Sequence, residues 1–398
     1  MLNVTGPERT PKHGDPCPSP LCQSRLAKMP FQIDPKRWSE VIRLIDRVVT
    51  EGVFPAVSVV AGFDDGRESS YATGRFDANE LTCVRDITST DPFLVASITK
   101  PVTVAAAMWL IERGLIGLDD PVSEFVPEFQ GPGKDRIRVR HLMSHTSGLP
   151  DMLPANDALR ASHATFAEFV REICRCDLIF EPGTRVSYQS MGTAMLAEIV
   201  QRIDGRQFGQ FVREEFFEPL GMNSTNLGVS GAAAEAVVRI RLSPEQLATN
   251  WNWNSPYWHG FGAPWGGMTS TANDLGRWAR AFLNGGKLEN TRIFSETTVK
   301  LMTTSRMDAF PKLSDDDRRT RTWGLGWRIV GAGVATHLGE LLPPETYGHY
   351  GATGTIQWID PIRQAYAVIL TSRAFDQTEP QMLRLSNAIS AAIVSDRI

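Results

Sequence analysis

Leu94-Val95-Ala96-Ser97-Ile98-Thr99-Lys100-Pro101 runs directly into an apolar stretch, Val102 to Ile111, that Gly114 ends. The apolar run predicts a helix, and a serine and a lysine three residues apart at its start share one face. Serine is a weak nucleophile until a base takes its proton. A lysine serves as that base only where burial or cationic neighbours pull its pKa towards neutrality. Ordinary residue usage yields about one S-x-x-K spacing by chance in a chain of this length. Taken alone, the tetrad therefore also reads as a helix start with a surface lysine, and its surroundings have to decide.

Upstream, Trp38, Val41, Ile42, Ile45, Val48 and Val49 recur at helical spacing from near Lys36, and Gly52 supplies a stop. Ala56 to Phe63 is Val-rich and leads through Asp64-Asp65-Gly66 to a second extended stretch towards Tyr71, which predicts a β-hairpin. At the far end, Thr355 to Ile359 and Tyr366 to Thr371 flank Asp360-Pro361 as two more strands. A helix with Met382, Leu385, Ile389 and Ile393 on one side follows them. Between the two ends, Phe166 to Ile173, Met191 to Ile203 and Phe208 to Phe217 carry helical patterns. The expected fold class is α/β (α+β): a mostly antiparallel sheet flanked by the N- and C-terminal helices and interrupted by an all-helical domain. The expected boundaries are 36–102 plus 255–398 for the sheet domain and 103–254 for the helical one, with the active site in the cleft between them.

Composition narrows the function classes. The 398 residues are 42% hydrophobic and 22% charged, which is ordinary for a globular chain and excludes a collagen-like, coiled-coil or mainly disordered one. A net charge of −4 offers no overall positive field, so no nucleic-acid partner is expected. Residues 1–30 hold five prolines among the first 20 residues and little aliphatic periodicity, which predicts a disordered leader with Met29 as an alternative start. No export signal and no uninterrupted apolar run of ~18 residues is visible, so no membrane span and a cytoplasmic location are expected. Five cysteines with Cys17, Cys22 and Cys83 scattered and Cys174 and Cys176 too close for a framework bridge fit a reducing compartment.

Several catalytic signatures are absent from the sequence: no G-x-S-x-G elbow, Walker loop, H-E-x-x-H or dinucleotide-type glycine fingerprint. His141 and His145 stand four apart but no third ligand accompanies them, so the expectation is structural hydrogen bonding, with no metal and no cofactor. Gly260 to Gly267 lacks the following Lys-Ser/Thr of a phosphate cradle and reads as a backbone bend.

Further segments follow the tetrad in order. They are His141-Leu142-Met143-Ser144-His145-Thr146-Ser147-Gly148-Leu149, Phe180-Glu181-Pro182-Gly183 leading to Tyr188-Gln189-Ser190, Gly266-Gly267-Met268 with Ser270-Thr271-Ala272-Asn273-Asp274-Leu275, and Gly348-His349-Tyr350-Gly351-Ala352-Thr353-Gly354. Together with Ser97 and Lys100 they resemble the serine β-lactamase and penicillin-binding-protein superfamily, and within it the class C-like branch that includes family VIII carboxylesterases. The resemblance runs from about residue 36 to the C-terminus. It implies a β-lactamase/transpeptidase-like fold and a cofactor-free serine hydrolase working through an acyl-enzyme. It casts Ser97 as nucleophile and gives Lys100 and Tyr188 the proton traffic, with the backbone N–H groups of Ser97 and Ala352 as the oxyanion hole. Ser190, His349 and Gly351 are implied to contact substrate.

Two positions depart from the β-lactamase pattern. Ser190 stands where those enzymes usually have Asn, which removes a side-chain amide. His349 stands where Lys is usual, which removes a fixed cation for a substrate carboxylate. Both departures favour neutral esters over β-lactams or peptide C-termini, so a carboxylesterase is expected, with a small-molecule ester or amide as substrate. The alternatives are a β-lactamase or D-amino-acid peptidase (D-Ala-D-Ala carboxypeptidase) and, outside enzymes, a catalytically silent scaffold of the same fold. Trp251, Trp253, Trp258 and Trp265 fall within 15 residues. They read either as the wall of an apolar substrate pocket, with Trp258 and Trp265 touching substrate, or as a hydrophobic mini-core. Oligomeric state is not legible.

Overall fold

The computed structural model describes residues 31–80, 85–331 and 336–395. The expected leader, Cys17, Cys22, Met29 and Cys83 lie outside those residues. The strands are β1 (Phe31–Ile33), β2 (Ala56–Phe63), β3 (Glu68–Gly74), β4 (Phe93–Leu94), β5 (Asn226–Leu227), β6 (Met268–Ser270), β7 (Lys287–Leu288), β8 (Thr291–Arg292), β9 (Arg328–Ile329), β10 (Tyr347–Gly351), β11 (Thr355–Asp360), β12 (Ala365–Thr371) and β13 (Ile393–Ser395). The helices that matter for the site and its support are α1 (Pro35–Thr50), α2 (Thr99–Glu112), α3 (Phe166–Arg175), α4 (Met191–Asp204), α5 (Ala272–Leu283) and α6 (Glu379–Ala392).

Among the described residues the main sheet has six strands in the order β3-β2-β12-β11-β10-β9, every neighbouring pair antiparallel. Its central strands are buried on both faces, which is why β2 and β12 read as continuous apolar runs. The period of two still sorts their side chains. Val57, Val59, Ala61 and Phe63, with Ala365, Ala367 and Ile369, pack under α1 and α6; Val60, Tyr366, Val368 and Leu370 join the core on the opposite face.

Helix α1 begins at Asp34, whose carboxylate accepts the Arg37 N–H at 2.8 Å, with Pro35 in the first turn. It buries Trp38, Val41, Ile45 and Val48, one stripe at helical spacing. Helix α6 buries Met382, Leu385 and Ile389 beside it. The termini meet: β1 pairs with β13, placing Phe31 opposite Ser395. On the other face of the sheet lies a larger core that α2, α4 and α5 share. The regular elements of residues 103–254 are helices apart from β5, which pairs with β6 in a small sheet of order β4-β6-β5.

Candidate active site

Ser97 sits in a single 3-10 turn, Ala96–Ile98, that α2 continues from Thr99. Ala96 holds φ at +46°, a left-handed conformation costly for a residue with a Cβ, and strain of this kind persists only where the surroundings over-determine it. Here they do. The Thr99 hydroxyl donates to the Ala96 carbonyl at 2.6 Å, the Thr353 hydroxyl to Leu94 at 2.6 Å and the Thr355 hydroxyl to Val95 at 2.9 Å. The Val95 N–H reaches the Met268 carbonyl at 3.0 Å. The turn is thus stitched to β6 on one side and to the β10–β11 hairpin on the other.

Gly351 lets that hairpin approach. A Cβ there would stand 2.3 Å from both the Val95 carbonyl oxygen and Thr355 Oγ1. Ala352, the next residue, is exposed at the start of the β10–β11 turn, beside the Ser97 turn that Gly351 touches. The two main-chain segments implied to carry the oxyanion hole are therefore neighbours.

Lys100 is 1% exposed, and its Nζ donates to Ser97 Oγ at 3.0 Å and to the Trp265 carbonyl at 2.9 Å. Burial lowers its pKa from 10.5 to about 7, against the pull of the Asp151 carboxylate. Its Nζ also lies 4.6 Å from the centroid of the Tyr188 ring. The Tyr188 hydroxyl hydrogen-bonds Ser97, and burial holds the phenol well above its usual pKa. Burial works against a charge-separated ammonium–phenolate pair, lowering the amine and raising the phenol together. Around neutrality the amine, 3.0 Å from the Ser97 hydroxyl, is present in both protonated and neutral forms, while the phenol on the same oxygen stays protonated. A base and an acid bracket one serine.

Tyr188 packs at a tilt against His145 (centroids 4.8 Å apart) and Trp323 (5.9 Å). Helix Val139–Met143 ends before His145, so His141 and His145 do not share a helix face. Their Nδ1 atoms accept the backbone N–H groups of Arg138 at 2.9 Å and Gln189 at 3.2 Å. Between Ala263 and Gly267 the glycine stretch bends tightly, presenting the Pro264 and Trp265 carbonyls to Thr103 and Lys100.

His349 lies on β10, 1% exposed, its Nδ1 2.7 Å from the Tyr350 carbonyl to which it donates. Its ring is 5.9 Å from that of Tyr188. Burial, and then Lys100, lower its pKa to about 3, so it is neutral. A permanent cation comes instead from Arg328 on the adjacent β9, opposite Gly348. Arg328 lines a cavity of about 250 Å³ with Tyr188, Trp323, Arg321, His337 and Tyr350. Its guanidinium donates to the Thr320 and Thr322 carbonyls at 2.7 and 3.4 Å and pairs with no carboxylate among the described residues. Burial lowers it only to about 10. Sequence reasoning missed it, although Arg328 follows the glycine-rich Gly324 to Trp327 on a strand neighbouring His349.

Ser190, 1% exposed, donates its hydroxyl to Asp151 Oδ1 at 2.6 Å. Asp151 was also missed; it stands two residues beyond the Ser147-Gly148-Leu149 stretch. Trp258 and Trp265 are buried in the large core, packing on Trp251, Phe261 and Phe169 at centroid distances of 5.5 to 6.0 Å. A larger cavity of about 500 Å³ behind Phe261 and Pro264 is lined by neither tryptophan and by none of Ser97, Lys100 and Tyr188.

A family model described as Beta-lactamase matches residues 41–391. The chain belongs to the beta-lactamase family. Among curated members, it is 26% identical over 385 residues to an Escherichia coli (strain K12) protein named "Putative D-alanyl-D-alanine carboxypeptidase", covering 89% of this chain and 86% of that one. Solved structures with the same fold include a penicillin-binding protein homologue from Caulobacter crescentus (21% identity, 91% of this chain and 99% of that one, TM-score 0.73). A family VIII carboxylesterase also matches (20% identity, 91% and 99%, TM-score 0.73). The β-lactamase-family fold accounts for the antiparallel sheet with helices on both faces, and membership makes the chain a hydrolase of the serine β-lactamase/penicillin-binding-protein superfamily. Among its described residues no helix is long and apolar enough to cross a membrane.

Proposed function

We propose that the chain is a carboxylesterase that transfers the acyl group of a small ester to Ser97 and then to water. The observation that carries the reading is the buried Lys100 amine, with its pKa near 7, 3.0 Å from Ser97 Oγ. Lys100 takes the Ser97 proton as Oγ attacks the ester carbonyl. The backbone N–H groups of Ser97 and Ala352 receive the oxyanion, and Tyr188 delivers a proton to the departing alkoxide. Water then repeats the attack on the acyl-enzyme in the reverse proton sense.

Three features favour esters over β-lactams. His349 is neutral, the Ser190 hydroxyl is committed to Asp151, and the Asp151 charge opposes a carboxylate on that side of the cleft. The test is turnover of p-nitrophenyl esters beside a chromogenic cephalosporin and D-alanyl peptides. Ser97→Ala and Lys100→Ala should each lower kcat/KM for the ester by at least ~10³-fold, because nucleophile and base act as one unit. Wild-type turnover by Ser97→Ala, or D-alanyl peptides as the preferred substrates, overturns the reading.

Arg328 supports a second reading, a D-amino-acid carboxypeptidase. Its guanidinium lines the cavity beside Tyr188 without a carboxylate partner among the described residues, where it suits a substrate's terminal carboxylate. The name of the curated relatives agrees with it. Arg328→Gln should then depress carboxylate-bearing substrates selectively.

A further inference from the structure

The Ser190–Asp151 contact has a consequence for substrate choice. Asp151 follows Leu149-Pro150 and is exposed, whereas its partner Ser190 is buried. The Ser190 hydroxyl donates to Asp151 Oδ1 at 2.6 Å and the Ser190 N–H to the Asp151 carbonyl at 3.3 Å. The loop is thereby tied at two points to the segment that carries Tyr188, and the carboxylate is held in place from below.

No lysine, arginine or histidine forms an ion pair with this carboxylate among the described residues. Arg160, which shares its field, lies 4.6 and 4.7 Å from the Trp251 and Trp258 ring centroids and directs Nη2 to Met152 Sδ at 3.6 Å. The Ser190 contact holds the carboxylate beside the segment of Tyr188, whose hydroxyl hydrogen-bonds Ser97, and the Asp151 charge acts on Lys100, Tyr188 and Tyr350. Tyr188, Trp323 and Tyr350 present aromatic surface to the cavity of about 250 Å³. A fixed carboxylate without an ion-pair partner among the described residues, held by Ser190 two residues from Tyr188 in the chain, is a group that an ammonium or quaternary ammonium cation binds. The cations Arg321 and Arg328 line the cavity beyond Tyr188, so a positively charged group is driven towards Asp151 and a negative one away from it.

We propose that Asp151, held by Ser190, is a specificity-determining residue that selects substrates whose acyl group carries an ammonium or quaternary ammonium cation. This rests on the acyl-enzyme reading given above. The reaction is unchanged: Ser97 Oγ forms the bond to the acyl carbon, the ester C–O bond breaks, and water later releases the acid.

The experiment uses the full chain and two matched pairs of p-nitrophenyl esters, each pair differing only in N⁺ against C. They are trimethylammonioacetate against 3,3-dimethylbutyrate, and 4-(trimethylammonio)butyrate against 5,5-dimethylhexanoate. The readout is the cationic-to-neutral ratio of kcat/KM, compared between wild type and Asp151→Asn so that intrinsic ester reactivity cancels. Asn retains an acceptor for the Ser190 hydroxyl. The ratio should fall by about three- to tenfold in Asp151→Asn for at least one pair, the size expected for a partly exposed charge contact. An unchanged ratio for both pairs overturns the proposal while leaving the esterase reading standing.

Should Asp151→Asn fail to fold, wild type alone decides. Raising ionic strength should lower kcat/KM for the cationic esters and leave their neutral partners unchanged, and an equal response of both overturns the proposal. If no ester is turned over and a covalent serine probe does not label Ser97, the hydrolase reading fails and this inference fails with it.

Discussion

The Lys100 amine is 1% exposed and has no carboxylate at hydrogen-bonding distance among the described residues, so its charged form is the costly one. With a folded pKa of about 7 and an unfolded value of 10.5, the unfolded chain binds more protons between those pH values. Stability therefore rises with pH across that window, and the penalty from Lys100 is complete below pH 7. Lys100→Met should raise the melting temperature at pH 6 by a few degrees (~1 kcal/mol or more) and by less at pH 10, as calorimetry at the two pH values would show. The same pKa sets activity. Ester kcat/KM should climb with pH through about 7 as the amine loses its proton. His349→Lys would place a second cation beside Lys100 and depress it further. The acid limb of the pH profile should then move to lower pH, by upwards of half a unit, while use of a carboxylate-bearing β-lactam improves relative to a neutral ester. A pH profile and substrate ratio both unchanged from wild type would show that His349 does not act on this site.

At the level of elements, the nucleophile turn is held between β6 and the β10–β11 hairpin, and its geometry depends on how closely β10 can approach. Gly351 is the contact point, since an added Cβ would meet the Val95 carbonyl and Thr355 Oγ1 at 2.3 Å. Gly351→Ala should displace Ala352 from the Ser97 turn and lower kcat by about 10²-fold, the scale of losing one oxyanion donor. Removing the Thr355 hydroxyl with Thr355→Val should be milder, because the Thr353 and Thr99 hydrogen bonds remain. Stopped-flow acylation of both variants would order them; a Gly351→Ala protein acylating at the wild-type rate contradicts the role assigned to that contact.

Across the whole molecule, histidines in three parts of the fold are held neutral by burial. The pKa of His141 and His259 falls to about 4, that of His349 to about 3, and that of His145 lies well below 6.5. Each folded value is below the unfolded one, so the unfolded chain binds more protons as pH drops from 6.5, and native stability is lost in that direction. The upper bound between pH 6.5 and 5 is ~2 kcal/mol per histidine. Urea denaturation should show a lower midpoint at pH 5 than at pH 7, and the pH dependence should weaken in His259→Phe. Equal midpoints at both pH values would contradict this origin of acid sensitivity.

The fold was legible because its signals are local. The α1 stripe from Trp38 to Val48, the β2 and β12 runs and the α6 periodicity each follow from the spacing of apolar residues along a short segment, and β2 and β12 lie side by side in the sheet. Ser97 and Lys100 are equally local, three residues apart on one turn. What the tertiary structure alone decided is everything that depends on burial and on neighbours distant in sequence. The desolvation that brings Lys100 to about 7 comes from the surrounding core, and the carbonyl that accepts its N–H, that of Trp265, is 165 positions away. A cation absent at position 349, where His stands in place of Lys, is present on the adjoining strand as Arg328, and Ser190 is bound to an aspartate 39 positions earlier. Trp258 and Trp265 turned inward to the core, because an aromatic-rich segment satisfies a mini-core and a pocket wall with the same composition and only packing distinguishes them.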